Sequence, residues 1–575
     1  MSANLITRVP EYTASDALND ALVNAGVSHI FLNSGTDYPP FIESWAKYEA
    51  QGRLKPEIII SPHEYVAISA AQGYAQVSGR PQAVFVHVDV GTQNLGGALH
   101  NAFRCRTPVF ILAGLSPYTI GRELRGGRDS PIQYLQNVQD QAGIARGYTK
   151  LCGELRSGRN VQQLVYRALQ IANSEPKGPV YMTATREVLE EEGLDTNADL
   201  KLWSPALLAG MDDGTVERLS VALKKAEKPL IVTSYLGRNK ESVGELVRLC
   251  ERLAIPVIEA GQSYMNFPAD HPMHLGFMTQ PLLGEADLVL VIDSDIPWTP
   301  GMAGMREDCR IFYLDIDPLK EDIPIWYIPS EMFIKADSCI ALKQLNGRLD
   351  MDGRGLDPAL LAARREKLEK MHTDMLDRIK RSEKKQPGMT AEYLSSCIRE
   401  IIDDDTIVLN EAITNGGAAM NHIPRVKPGT SFSSGGSSLG WSGGAAIGMK
   451  LACPENDVIT LTGDGAYMLS VPTAVYWMAR RYKTPFITVI YNNQGWNAPK
   501  EITKVQHPDG YAVRENKFWN SFEPASRLDL VAEAAGGAFA RMVTKPDEVM
   551  PALLEGRDAV RNGTSAVINV LLPPV

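Results

Sequence analysis

Three polar residues near the carboxyl end of the chain follow two short apolar segments. Asp464 lies in VITLTGDGAYML, and Asn492 and Asn493 lie in FITVIYNNQGW. The 26 residues between Gly465 and Asn492 are enough for a crossover helix between two parallel strands. Both strand ends would then lie at one edge of a sheet, where α/β proteins bind ligands. Carboxylate and amide oxygens there are ligands that Mg²⁺ prefers and commonly shares with a diphosphate.

Glycines on both sides of Asp464 would let the backbone approach phosphate groups closely. A plain turn at Asp464-Gly465 is the alternative interpretation. A hairpin is disfavoured, because the residues that follow do not resume a strand of matching pattern. GDG alone is a weak signal, whereas GDG followed by NN across a βαβ unit is a specific one.

A second candidate is Glu64, in the segment EIIISPHEYVAISAAQGYA at residues 57–75. The apolar run before it predicts a buried strand, and the small apolar residues after it predict a helix. Ser61-Pro62-His63-Glu64 fits the capping-box pattern S-x-x-E, with a proline at the first helical position. From this segment alone, helix capping is the favoured explanation of Glu64.

The composition excludes several classes of protein. The chain has 575 residues, 44% of them hydrophobic and 22% charged, as in soluble globular proteins. A net charge of −10 and a pI near 5.6 give no general attraction to nucleic acid or to anionic membranes. No apolar run reaches the roughly 18 residues of a membrane span. With no secretory pattern and seven scattered cysteines, we expect a cytoplasmic protein with reduced thiols.

Short, continuously apolar segments alternate with helical patterns, which predicts α/β architecture with doubly wound, mainly parallel sheets. Acidic residues 186–203 and charged residues 347–389 interrupt this alternation as linkers. We therefore predict three domains, at residues 1–190, 200–345 and 385–575. The predicted strands are 29–32, 57–60, 83–88, 108–113, 179–184, 229–234, 256–259, 288–292, 311–316, 406–410, 457–462, 486–491 and 566–571.

The combination GDG-x26-NN resembles the fingerprint of the thiamine-diphosphate-dependent enzymes of the acetolactate synthase, pyruvate decarboxylase and benzoylformate decarboxylase type. The resemblance extends over nearly the whole chain and is greatest to acetolactate-synthase-like proteins. It implies pyrimidine-binding, middle and diphosphate-binding domains in that order. It also implies that Asp464 and Asn493 bind Mg²⁺ through their side chains and Gly495 through its carbonyl oxygen.

The resemblance implies further contacts with the cofactor. Leu439, in GGSSLGWSGG, matches the apolar residue beneath the bent cofactor, and the carbonyl of Ser437 matches the acceptor for its 4′-amino group. Thr414 and Asn415 match a diphosphate loop, with an ordinary turn before a helix as the alternative. The implied cofactor-contacting set is Glu64, Thr414, Asn415, Ser437, Leu439, Gly463, Gly465, Ala466 and Trp496.

The same resemblance changes the interpretation of Glu64, which matches the glutamate that activates the cofactor from N1′ of its pyrimidine ring. His87, before GTQN, matches an active-site histidine of benzoylformate decarboxylases. Thr36 and Asp37, in FLNSGTDYPPF, match positions near the substrate, with a capped turn as the alternative. Gln139 resembles a glutamine near the cofactor. The implied catalytic residues are thus Glu64, His87, Thr36 and Asp37.

These matches imply a decarboxylase or carboligase that acts on a 2-oxo acid or related carbonyl substrate as a homodimer or homotetramer. His87, Thr36 and Asp37 depart from typical acetolactate synthases and favour a decarboxylase-type site. A lyase or hydrolase of a cyclic 1,2-dione or a 2-hydroxyacyl thioester is an alternative. A non-catalytic cofactor-binding protein is a further one. No residue set decides whether FAD binds in the middle domain, and the visible absorption spectrum is the test.

Overall fold

The continuously apolar segments of the sequence form parallel strands in three sheets. The structure is a computed structural model, and it describes residues 10–121, 123–196, 199–299, 301, 304–351 and 357–574. The sheets have six, five and six strands, and their paired strands run parallel within the described residues. The predicted α/β class is confirmed. Helices cover both faces of each sheet, so most strand residues are buried.

The N-terminal sheet has the strand order β2-β1-β3-β4-β6-β5. Its strands are β1 (His29–Leu32), β2 (Glu57–Ile60), β3 (Gln82–Val86), β4 (Val109–Leu115), β5 (Leu151–Leu155) and β6 (Val180–Thr185). Its helices are α1 (Ala14–Asn24), α2 (Pro39–Ala50), α3 (Glu64–Ser78), α4 (Val88–Asn94), α5 (Gly96–Arg104), α6 (Ile132–Leu135), α7 (Gln141–Ala145), α8 (Val161–Asn173) and α9 (Arg186–Leu189).

The middle sheet has the strand order β11-β10-β9-β7-β8. Its strands are β7 (Pro229–Thr233), β8 (Val257–Glu259), β9 (Leu288–Ile292), β10 (Arg310–Asp315) and β11 (Met332–Lys335). Its helices are α10 (Asp213–Lys225), α11 (Lys240–Leu253), α12 (Leu282–Glu285) and α13 (Ser338–Met351). The exposed helix α14 (Pro358–Ser382) then runs to the last domain, as its charged sequence predicts.

The C-terminal sheet has the strand order β13-β12-β14-β15-β17-β16. Its strands are β12 (Ile407–Glu411), β13 (Ser431–Phe432), β14 (Val458–Gly463), β15 (Ile487–Asn492), β16 (Phe539–Val543) and β17 (Ala566–Leu571). Its helices are α15 (Ala391–Arg399), α16 (Gly416–His422), α17 (Trp441–Ala452), α18 (Asp464–Leu469), α19 (Pro472–Arg481), α20 (Asn497–Gln506), α21 (Tyr511–Arg514), α22 (Leu528–Gly536) and α23 (Pro546–Arg561). Four 3-10 turns occupy Arg146–Tyr148, Gly158–Asn160, Leu200–Trp203 and Leu236–Arg238.

Four strands were not predicted from the sequence: β5, β11, β13 and β16. Each lies at the edge of its sheet. An edge strand is covered less completely than a central one, and these segments mix polar with apolar residues instead of forming an apolar run. The pattern that identified the central strands therefore does not mark them.

Helices α3 and α17 join the first and last domains through close backbone contact. A Cβ atom at Gly448 would lie 1.8 Å from the carbonyl oxygen of Ala70, and one at Gly73 would lie 2.3 Å from that of Ala445. A single hydrophobic core continues across this pair, from Phe31 in β1 to Val567 in β17. The edge of one sheet is thus held in a fixed position relative to the edge of the other.

The middle domain is attached to the first through a partly buried ion pair. The guanidinium of Arg106 donates two hydrogen bonds to Asp295, at 2.7 and 3.1 Å, and stacks over the ring of Tyr235.

No helix in the described part of the chain is both long and apolar enough to cross a membrane.

Candidate active site

Glu64 is the first residue of α3, immediately after the carboxyl end of β2. His63 caps this helix, because its Nδ1 accepts a hydrogen bond from the backbone N–H of Tyr65 at 3.1 Å. The Ser61 hydroxyl donates instead to the carbonyl of His63, at 2.9 Å. The predicted capping box is therefore wrong. Glu64 stands at the first helical position, too early to close such a box, so capping does not explain it.

The Glu64 carboxyl group is 7% exposed and lies against the GTQN segment. The Asn94 side-chain amide donates to its Oε2 at 3.1 Å. A Cβ atom at Gly91 would lie 3.2 Å from its Oε1. The small residue at position 91 leaves room for this acid at the carboxyl edge of the sheet.

His87 follows β3 at the same edge, and its Nδ1 lies 2.5 Å from Oδ1 of Asp37. Burial lowers the pKa of His87, but the hydrogen bond and the negative charge of Asp37 outweigh burial, so the pKa is raised above its ordinary value. The strand ends at Val86, earlier than predicted, and Val88 has a φ of +36°. Such a φ is strained for a β-branched residue, and strain of this kind is concentrated at functional sites.

Two glycines make room for this pair. A Cβ atom at Gly35 would lie 2.1 Å from Nδ1 of His87, and one at Gly114 would lie 1.8 Å from Oδ2 of Asp37. The Asp37 side chain is buried behind the histidine, and its Oδ2 has no hydrogen-bond partner. Asp37 thus acts on the histidine, whereas its sequence position suggested a contact with the substrate.

Thr36 lies beside this pair and is exposed. Its carbonyl oxygen accepts a hydrogen bond from Arg186, at 3.2 Å, and the same guanidinium donates to the carbonyls of Gly126 and Gly127. Arg186 was not identified from the sequence. It holds the turn after β1 against the long connection that follows β4.

A glutamine does reach this site, but it is not the one that the sequence suggested. Nε2 of Gln136 lies 3.0 Å from Nε2 of His87. Gln139, three residues later, is exposed. In the described part of the connection between β4 and α7, the short helix α6 is the only regular element. The sequence pattern therefore could not identify which glutamine points inward.

Asp464 and Asn493 lie at the carboxyl edge of the C-terminal sheet, on neighbouring strands. Gly463 is paired with Tyr491 across β14 and β15, so both side chains follow immediately after the paired region. Both are buried, with 3% and 5% exposure. The adjacent Asn492 donates through its amide to Asn569 and is thereby turned away from the edge. This is the arrangement that the GDG and NN motifs predict.

The surroundings of Asp464 fit a bound cation. Its two oxygens accept hydrogen bonds from the backbone N–H groups of Gly465 and Gly495, each at 2.9 Å. Burial outweighs these hydrogen bonds and raises the pKa of Asp464 above its ordinary value. A carboxylate, an amide oxygen and the carbonyl of Gly495 form a set of hard oxygen donors that suits Mg²⁺. Among the described residues no cluster of three or more His, Cys, Asp or Glu suggests another metal centre.

Gly465, next to Asp464, packs closely against Trp496. A Cβ atom at Gly465 would lie 2.4 Å from Nε1 of Trp496, so only glycine fits there. Trp496 is 47% exposed and contacts Phe522 edge-on. Ala466 is buried in the first turn of α18.

Thr414 and Asn415 follow β12, the strand beside β14. Asn415 immediately precedes α16 and makes no side-chain capping hydrogen bond, and Thr414 is exposed. The turn before a helix that was the alternative for these residues is present. It follows a strand that pairs with β14, and the contact of Thr414 and Asn415 with a diphosphate stays a prediction.

Ser437 and Leu439 lie in a loop that contacts the first domain. The Tyr65 hydroxyl donates to the carbonyl of Leu439 at 2.8 Å. The backbone N–H of Ser437 donates to Nε2 of His100 at 3.1 Å. The Glu411 carboxylate accepts from the first backbone N–H groups of α17, just beyond the loop. Residues from three elements therefore set the position of Leu439.

The chain thus forms two groups of candidate residues, one at the edge of each outer sheet. Among the described residues, no hydrogen bond joins Glu64 to Asp464 or to Asn493. In the middle domain, Trp298 is buried in the hydrophobic core.

This chain belongs to the thiamine pyrophosphate enzyme family. The models of the family's N-terminal TPP binding, central and C-terminal TPP binding domains match residues 12–144, 216–345 and 414–570. Together they cover most of the chain.

The relatives include synthases and decarboxylases. A probable acetolactate synthase of Mycobacterium bovis is 27% identical over 90% of this chain and 89% of its own length. A benzoylformate decarboxylase of Pseudomonas aeruginosa is 25% identical over 84% of this chain and 87% of its own length. The fold matches that of a thiamine diphosphate-dependent 4-hydroxybenzoylformate decarboxylase of Rhodococcus jostii, with a TM-score of 0.79 and 22% sequence identity. The match covers 98% of this chain and 99% of the other.

Proposed function

We propose that this protein is a thiamine-diphosphate- and Mg²⁺-dependent enzyme that cleaves the bond between the carboxylate and the carbonyl carbon of a 2-oxo acid. The observation that carries the proposal is the position of Asp464 and Asn493, buried at the ends of adjacent parallel strands beside glycines. These residues would hold Mg²⁺ and, through it, the diphosphate.

Glu64 has the environment that a proton-transferring acid needs. It is buried, it has one amide partner, and no cation is paired with it among the described residues. When bound, thiamine diphosphate would supply the nucleophilic carbon and the electron sink that decarboxylation needs. Glu64 would hold and transfer a proton at N1′ of the aminopyrimidine ring. Leu439 would support that ring from below, and burial keeps water away from the acid.

The buried pair of His87 and Asp37 favours a decarboxylase over an acetolactate synthase. A histidine whose pKa is raised by a neighbouring carboxylate can donate a proton near neutral pH. In a decarboxylase, the carbon that loses carbon dioxide must gain a proton. In a carboligase the same carbon gains a second carbonyl compound instead.

We propose a homodimer or a dimer of dimers in which Glu64 of one chain and Asp464 of another face the same cofactor. Exposed apolar side chains on the connection after β4 support an interface between chains. Tyr118, Ile120, Tyr134 and Leu135 are each more than half exposed.

The test is to measure binding of thiamine diphosphate with Mg²⁺ by calorimetry and then to screen 2-oxo acids for release of carbon dioxide. We expect cofactor binding that requires Mg²⁺, and aldehyde products from one class of acid. With pyruvate, formation of acetolactate as the main product would instead favour the synthase assignment. Failure to bind the cofactor would reject the proposal altogether.

Glu64→Gln separates chemistry from binding. We expect this variant to bind the cofactor but to exchange the proton at thiazolium C2 about a hundredfold or more slowly, as for loss of a general acid–base group. Unchanged exchange, followed by proton NMR in deuterated water, would contradict the role of Glu64.

A further inference from the structure

The long connection after β4 returns to the carboxyl edge of the N-terminal sheet at Gln136. The Ser116 hydroxyl donates to the carbonyl oxygen of Gln136 at 2.8 Å, which fixes the backbone of this residue beside the end of β4. The Gln136 side chain then lies with its Nε2 3.0 Å from Nε2 of His87. The histidine ring is therefore held at both nitrogens, by Asp37 on one side and Gln136 on the other.

The two ring nitrogens are not equally available. Asp37 is buried behind the ring, so Nδ1 cannot turn toward a ligand without leaving this carboxylate unpaired. Any contact of His87 with a substrate must use Nε2. Each ring nitrogen has one strong hydrogen-bonding position, and at Nε2 Gln136 occupies it.

A carboxamide suits both protonation states of the ring. Its NH₂ group can donate to Nε2 of the neutral imidazole, and after rotation its carbonyl oxygen can accept from Nε2–H of the cation. A carboxylate at this position could only accept, and would favour the cation. A hydrocarbon side chain could do neither.

We propose that Gln136 is a positioning residue, which holds Nε2 of His87 at the open side of the sheet edge until an oxygen atom of the substrate replaces its amide. This inference rests on the proposed function for the identity of the substrate, but not for the contact between the two side chains. In the reaction, His87 gives its Nε2 proton to the carbon that has lost carbon dioxide, and solvent later restores that proton. The net change is the carboxylate anion of the 2-oxo acid plus one proton to aldehyde plus carbon dioxide.

The charged groups that face the ring come from two elements. Asp37 belongs to the turn after β1, and Asp89 lies in α4, with its Oδ1 buried and without a partner. Both are acids, and both favour the cationic ring. Residue 136 belongs to a third element, so a charge introduced there tests an independent contact.

The first experiment uses the intact protein without substrate. The titration of His87 is followed by NMR of labelled histidine, with His87→Asn to assign its signal among the nine histidines. We expect Gln136→Glu to raise the pKa of His87 by about one unit or more, as an adjacent carboxylate does. Asn137→Asp is the matched control, because Asn137 is exposed on the same segment and undergoes the same change from amide to carboxylate. An unchanged titration in Gln136→Glu would overturn the contact.

The second experiment measures kcat and KM against pH for the wild type, Gln136→Glu, Gln136→Leu and Asn137→Asp. We expect the alkaline limb of kcat/KM to move upward in Gln136→Glu, together with a higher KM, since the new carboxylate competes with substrate for Nε2. In Gln136→Leu we expect kcat to fall about tenfold or more with cofactor binding unchanged, because the ring loses its fixed orientation. Equal profiles in all four proteins would overturn the positioning role. A shifted titration in a protein that acts on no 2-oxo acid would reject the proposed function and leave the contact intact.

Discussion

The carboxylate of Glu411, at the end of β12, accepts a hydrogen bond from the backbone N–H of Gly440 at 2.8 Å. The next two N–H groups of α17 donate to the same carboxylate, at 2.9 and 3.0 Å. Gly440 has a φ of +103°, and a Cβ atom there would lie 2.6 Å from the backbone of Leu469. This buried acid accepts hydrogen bonds from the backbone N–H groups at the start of α17, which have no partner within the helix. It thereby fixes the turn that carries Leu439.

Glu411→Gln is expected to weaken cofactor binding by about tenfold or more and to lower the melting temperature. The amide loses the negative charge and presents its NH₂ group to a backbone donor, and hydrogen bonds to a charged group contribute about 1.5–3 kcal/mol each. Calorimetric titration with thiamine diphosphate and thermal melting measure both effects. Glu400→Gln, at an exposed acid, is the control. Equal affinity in the two variants would show that Glu411 does not position the loop.

Gly448→Ala should destabilise the contact between α3 and α17. The added methyl group would lie 1.8 Å from the carbonyl oxygen of Ala70, so the two helix backbones must separate. We expect a loss of about 1–3 kcal/mol in the free energy of unfolding, as for other overpacked sites. Gly244→Ala is the matched control, since Gly244 lies inside α11 with open space around it. That change should be neutral or stabilise the protein by up to about 1 kcal/mol. Equal stability of the two variants would contradict the close contact.

The stability contributed by His87 should depend on pH. Its pKa is raised in the folded protein, so its ion pair with Asp37 stabilises the fold fully below the ordinary value of 6.5 and is lost as the pH rises through the raised pKa. The difference in stability between the wild type and His87→Asn should therefore be larger at about pH 6 than at about pH 9. Urea denaturation at both pH values measures it. If the stability difference between the wild type and His87→Asn were larger at alkaline pH, the ion pair would not stabilise the fold in the way described.

Two inactive variants should restore activity when they assemble together. If each cofactor lies between Glu64 of one chain and Asp464 of another, a mixed dimer of Glu64→Gln and Asp464→Ala has one intact site and one doubly altered site. With equal co-expression and random pairing, we expect about a quarter of the wild-type activity. Co-expression of wild type with Glu64→Gln is the control, and it should give about half of the wild-type activity. Activity no greater than that of the separate variants would show that each site lies within one chain.

Much of the fold follows from local pattern. Central strands of a parallel sheet must be apolar on both faces, so segments such as 288–292 and 566–571 were identified at their observed bounds. Edge strands such as β11 and β16 were missed, because a strand covered on fewer sides tolerates polar residues. The start of α3 was placed incorrectly, since His63 can cap a helix with its ring nitrogen and the S-x-x-E pattern does not reveal that.

The sequence by itself determined the class of fold, the adjacency of Asp464 and Asn493, and the candidates Glu64 and His87. The fold class and the adjacency depend on chain-local pattern, because a βαβ unit brings successive strand ends to one edge. Glu64 and His87 were identified by the resemblance of their segments to those of the family. The tertiary structure alone decided that Asp37 pairs with His87, that Gln136 and not Gln139 reaches the ring, and that Glu411 holds the turn at Gly440. Those contacts join residues from segments that are distant in the sequence. Which residues meet depends on how the sheet edges and helices pack, and a local sequence pattern does not predict that packing.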